Sequence, residues 1–136
     1  MDIKKMLDKW YDKEIEDYGG YTSPMYEEFQ RDYRNTIKDF CKKINMKLHD
    51  FHKNHYEFCA VLQDIDTQKY YYISISDVRF WKNEWADNIL YRTMEHDKDW
   101  RGGSNCYSNL EDLPNNLMSI KKIWGWFFWR KILLKE

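Results

Sequence analysis

The segment "EHDKDWRGGSNCY", Glu95 to Tyr107, carries the residue types from which a site is made: His96, Asp99, Cys106, Arg101, Ser104 and Asn105 around the pair Gly102–Gly103. Three chemistries compete for it. A thiol with a neighbouring base and an orienting carboxylate is the arrangement of nucleophilic catalysis, which would make Cys106, His96 and Asp99 a hydrolase or nuclease centre. No local signature surrounds the cysteine, and the blander expectation is that His96 is a surface residue. Arg101, Ser104 and Asn105 beside two glycines could cradle a phosphate or carboxylate, but the spacing of a P-loop is absent. The same residues could form a tight turn whose Asn and Ser bond the local backbone. The reading preferred here is a binding loop, with Trp100 as apolar anchor and Arg101 as bidentate contact, because buried aromatics and arginine dominate interface energetics. His96, Asp99, Gly102, Gly103, Ser104, Asn105 and Tyr107 complete it, and Arg79 in "SISDVRFW" is expected to brace it.

Two further clusters merit weighing. "HDFHKNHYEFC" spaces His49, His52 and His55 three apart, with Cys59 four further on. A regular strand would throw His49 and His52 to opposite faces, so no metal site is expected. "IKKIWGWFFWRKILLKE" distributes Trp124, Trp126, Phe128 and Trp129 around most of a helical circumference. Such a helix cannot hide every ring against one domain face, which predicts partner contact or a homodimer seam there. Its charges are too poorly segregated for a membrane-surface helix.

The elements that must position these residues follow from periodicity. Ile3, Met6, Leu7, Trp10 and Ile15 predict a first helix over about residues 2–17. "GGYTSP" breaks it, and Ser23 or Thr22 as cap, Pro24 at the first position and Glu27 in the opening turn start a second. Met25, Phe29, Tyr33, Ile37, Phe40 and Ile44 form its apolar stripe. After Asn45 the period changes: "MKLHDFHK", "YEFCAVLQDI" and "KYYYISISDV" read as an antiparallel meander with both faces half buried, and "ILYRTM" as a fourth strand. The segment after Leu113 is expected to close the chain as a helix, although "IWGWFFW" could equally be a strand. The predicted architecture is α+β: two N-terminal helices, a meander of three to four strands and a C-terminal helix, in a single domain over 1–136.

Composition narrows the function classes. Among 136 residues, 22 Lys and Arg face 23 Asp and Glu, which supports neither a basic nucleic-acid glove nor an acidic DNA mimic. The balance is uneven, since residues 1–32 carry nine acids and five bases and residues 113–136 five bases and one acid. Basic residues with aromatics could bind single strands, and Arg79, Arg92, Arg101 and Trp100 would be the contacts, but Glu95, Asp97 and Asp99 crowd the same region and repel phosphate. Three cysteines without a CxxC fit free thiols in a reducing, cytoplasmic setting, and no apolar run is long enough for a membrane span. No cofactor motif is present. Aromatics make up 18% of the chain, more than one core can absorb, so surface rings are expected.

The runs "YYISISDVRF" and "NILYRTMEHDKDWRGGSNCY" resemble small proteins carried on bacterial conjugative elements and prophages, over about residues 70–107. The resemblance implies no catalytic residue. It implies an accessory protein that binds a host protein or nucleoprotein complex, with inhibition of a CRISPR nuclease among the possible activities.

Overall fold

The structure, a computed structural model, describes the chain except residues 1, 16, 19–20, 55–56, 78–86, 102 and 123–136. Helix α1 spans Ile3–Trp10, capped by Asp2, whose carboxylate accepts from the Lys5 N–H at 2.7 Å. Ile3, Met6, Leu7 and Trp10 are its buried face. The helix ends seven residues short of its expected limit because Tyr11, Asp12, Lys13 and Glu14 are all exposed, so no burial supports another turn. A two-stranded ribbon follows, β1 (Asp17–Tyr18) with β2 (Tyr21–Thr22), where only a break was expected.

Helix α2 (Pro24–Lys43) starts as its sequence requires: Ser23 Oγ accepts from the Tyr26 N–H at 3.1 Å and Pro24 occupies the first turn. The buried stripe begins at Tyr26 rather than Met25, which is exposed, and continues through Phe29, Tyr33, Ile37 and Cys41. Lys9 and the Trp10 indole both reach Asp32, at 2.7 and 3.1 Å, and fasten α1 to α2.

Five antiparallel strands form one sheet in chain order: β3 (Met46–Lys53), β4 (Glu57–Asp64), β5 (Tyr70–Ser76), β6 (Ile89–Met94) and β7 (Cys106–Ser108). The meander is one strand larger than expected; β7 has three residues, too few to show a period. Residues 113–122 are helical (α3) and bury Leu113 and Leu117. The alternative readings of residues 123–129, and the interface assigned to Trp124, Trp126, Phe128 and Trp129, lie outside the described residues. No described helix is long and apolar enough to cross a membrane.

Helices and sheet share one core. Phe58 on β4 stacks on Tyr33 at 4.2 Å between centroids, with Phe51 at 5.6 Å and Phe29 edge-on at 5.4 Å. Ala60 and Leu62 extend that face along β4, and Ile73, Ile75 and Tyr91 carry it across the sheet. Cys59, Val61 and Gln63 point the other way and are buried too, so every β4 residue from Phe58 to Asp64 is inaccessible. Asp64 closes the strand. Its carboxylate accepts from Thr67 N–H and Oγ1–H, both at 2.8 Å, and pairs with Lys121 of α3. Burial works to raise its carboxyl, but Lys121 and Thr67 outweigh this and hold it below its ordinary 3.8.

Two outcomes test this packing. Phe58→Ala should cost about 3–5 kcal/mol in urea unfolding; a loss below about 1 kcal/mol would mean that the ring cluster is not the core. Because the folded carboxyl of Asp64 lies below its unfolded value, its contribution is complete above 3.8 and disappears as pH falls through the folded value. Asp64→Asn should therefore destabilise by about 3 kcal/mol at pH 7, and the difference from wild type should shrink progressively as pH falls below 3.8. A difference independent of pH would remove the Lys121 pair as its cause.

Candidate functional site: the outer sheet face and its returning loop

The sheet face opposite the helices is built from the residues of one parity. His52, Cys59, Ser74, Leu90 and Tyr107 are successive cross-strand partners on it, and Asp50, Val61, Tyr72 and Arg92 form a second row. β3 departs from strict alternation. A bulge between Leu48 and Asp50 inserts His49 as an extra residue. Its consequence reverses the expectation for the histidines: His49 meets Tyr70 at 5.0 Å and His52 meets Trp100 at 5.5 Å, so both rings lie on the outer face.

Among the described residues no group of three or more His, Cys, Asp or Glu is placed to hold an ion. His49 Nε2 is instead 3.0 Å from Asp97 and His52 Nδ1 is 3.1 Å from Asp50; His55 is outside the described residues. Cys59 is buried beneath the same face. Burial pushes its thiol up, against hydrogen bonds from Tyr72 and Ser74 that lower it; the Tyr72 hydroxyl donates to its sulfur at 3.0 Å. A protonated, inaccessible thiol is a packing residue, not a nucleophile.

Loop 95–105 leaves the end of β6 and crosses this face instead of projecting into solvent. A compact turn starts it: Asp99 N–H donates to His96 C=O at 3.2 Å, Lys98 N–H to His96 Nδ1 at 3.2 Å, and Glu95 N–H to the Asp99 carboxylate at 3.0 Å. Arg92 holds the turn down. It is 5% exposed, its guanidinium donates to Asp99 C=O at 2.7 Å and Thr93 C=O at 3.1 Å, and it lies 5.0 Å over the Tyr72 ring. The Asp97–His49 contact ties the far side to β3. Trp100 then rests edge-on against His52 and, at 6.2 Å, Tyr72. On the return Gly103 adopts φ 81°, and a Cβ there would meet the Thr93 carbonyl oxygen at 2.6 Å, so the position requires glycine on both conformational and steric grounds.

The predicted residues separate accordingly. Trp100, Arg101, Gly103, Ser104, Asn105 and Tyr107 are exposed, and Trp100 and Tyr107 keep 49% and 57% of their surfaces accessible. Arg79 and Gly102 lie outside the described residues. In the postulated His96, Asp99 and Cys106 set, the Asp99 N–H bonds the His96 carbonyl, a backbone contact of the turn and not a relay between side chains. His96 and Asp99 are engaged within the turn, whereas the Cys106 thiol points to Ser104 C=O at 3.6 Å and packs against the helix-covered core. Tyr72, His49 and Asp97 position the loop yet carry no binding role in the sequence reading, and Arg92, expected there only as a contact for single strands, positions it too. Tyr72 and Arg92 could have been linked by strand parity; His49 could not, because the bulge leaves no periodic trace.

Comparison of the chain with protein-family models, with curated proteins and with solved structures yields no match.

Gly103→Ala should lower stability by about 1–3 kcal/mol, with faster amide exchange concentrated in residues 95–105. Unchanged stability and exchange would mean that the loop does not approach β6 at this point.

Proposed function

We propose that the protein is a noncatalytic binding module that covers a surface of a protein or nucleoprotein partner with loop 95–105 and the outer sheet face. The observation that supports this is the setting of Trp100: the indole is braced by His52 and Tyr72, yet half of it faces solvent. An aromatic held in place before contact loses little rotamer freedom on binding, which is what an interface anchor needs. Arg101 follows it on the exposed side and Tyr107 lies on the same sheet face, so a partner would meet rings and a guanidinium together. Two of the loop's acids, Asp97 and Asp99, are turned to internal partners, which lessens the repulsion they would offer an acidic surface.

The separate engagements of His96, Asp99 and Cys106 favour binding over the hydrolase or nuclease reading. The resemblance of residues 70–107 to proteins of mobile elements extends the proposal to a host-directed inhibitor, with CRISPR nucleases among the partners to try.

The test is capture from nuclease-treated bacterial lysate, including cells expressing CRISPR nucleases, by the tagged wild type, Arg101→Glu and the Trp100→Ala/Arg101→Ala double variant. One stoichiometric protein retained by wild type, and weakened at least about 100-fold by the double variant in a direct titration, is expected. Arg101 is exposed, so Arg101→Glu separates loss of contact from loss of folding. Equal capture by all three proteins would remove the loop from the interface.

A further inference from the structure

We propose a second binding surface, independent of loop 95–105: the groove between α2 and the edge of β3 accepts a short extended peptide bearing carboxylates. Glu27, Gln30, Arg31 and Arg34 lie at intervals of three and four on α2 and form one wall, flanking the buried stripe. Phe51 and Lys53 of β3, with His52 between them, form the other, and the space enclosed is about 240 Å³.

Backbone geometry makes this wall a strand acceptor. β3 is an edge strand whose neighbour among the described residues is β4 alone. Asn54 N–H donates to Glu57 C=O at 2.9 Å, so Asn54 and Glu57 are a hydrogen-bonded pair, and antiparallel alternation turns His52 toward β4 as well. The N–H and C=O of Lys53, between them, and of Phe51, on the far side of His52, are therefore directed away from β4 at the sheet edge that borders the groove. The bulge between Leu48 and Asp50 interrupts the ladder on one side and the strand ends at Lys53 on the other, which limits an added strand to a few residues centred opposite Phe51.

Charge selects the occupant. Arg31 and Arg34 face the groove with Glu27 as the only opposing carboxylate among its lining residues, while the Lys53 ammonium at its margin is engaged by the Asn54 carbonyl and Asp77. Arg34 already carries its guanidinium over the Phe51 ring, 5.5 Å from its centroid, which favours placing the charge beside the backbone groups a strand would use. A peptide pairing with Phe51 places alternate side chains on the α2 side, where carboxylates meet the two arginines.

The probe is an end-blocked pentapeptide alternating glutamate and valine, titrated into isotope-labelled full-length protein and followed by amide shifts and by fluorescence polarisation. Binding at or below about 1 mM is expected, with shifts concentrated in residues 27–34 and 50–54. Arg31→Glu/Arg34→Glu should weaken it roughly tenfold or more, N-methylation of the central peptide residue should abolish it, and Arg101→Glu, at an exposed loop position outside the groove lining, should leave it unchanged. The last result keeps this surface separable from the one proposed for loop 95–105. Absence of binding, insensitivity to N-methylation, or shifts located elsewhere would overturn the proposal. Equal binding of a lysine-for-glutamate peptide, or displacement by a single-stranded oligonucleotide without any dependence on the peptide backbone, would overturn it too, by showing a nonselective edge or a simple anion patch. Self-association through β3, read by sedimentation, would assign the groove to a second copy of the chain.

Discussion

Burial of strand β4 on both faces is the constraint from which the remaining structure follows. An antiparallel sheet ordinarily leaves one face wet. Here Val61 and Cys59 are as inaccessible as Leu62 and Phe58, so cover is required twice. The helices supply one layer through a ring cluster centred on Phe58. The second layer includes a loop, and a loop has backbone polar groups that must be satisfied wherever it is pressed against protein. Arg92 meets that need: a buried guanidinium that donates to Asp99 and Thr93 carbonyls converts an otherwise unfavourable covering into a hydrogen-bonded one.

This arrangement explains why polar residues of loop 95–105 divide between two tasks. His96, Asp97 and Asp99 fold the turn and moor it, while Trp100 and Arg101 remain outward. A loop moored to the β3 edge and to β6 presents its exposed residues in one conformation, which suits recognition of a surface better than proton transfer. Catalysis would require His96 or Asp99 to leave bonds that define the turn, and would require Cys106 to turn from the opposite side of the sheet.

Much of the architecture was legible in the chain. The Ser23–Pro24 start of α2, the strand Ile89–Met94 and the two-sided character of β4 all rest on local chemistry: a cap, a β-branched and aromatic run, and an apolar run without clear alternation. The early end of α1 was not, because Ile15 is correctly spaced for the helix but packs on the core from outside it. Nor was the burial of Tyr26 in place of Met25, since both stand three or four residues before Phe29 and fit the same stripe. The candidate loop was visible as a composition, and its mooring was not, since that depends on pairings between residues as distant as His49 and Asp97.

The bulge at His49 has a genealogical consequence. Leu48 and Asp50 already face opposite sides and pair with the successive residues Leu62 and Val61, so the ladder would close without the residue between them. Loss of one codon there would leave every other β3 side chain on its present face and erase the β3 tether of the loop while the Arg92 contacts persist. Descendants of this chain could thus exchange a fixed contact surface for a loose one in a single mutational event, with the hydrophobic interior carried forward intact.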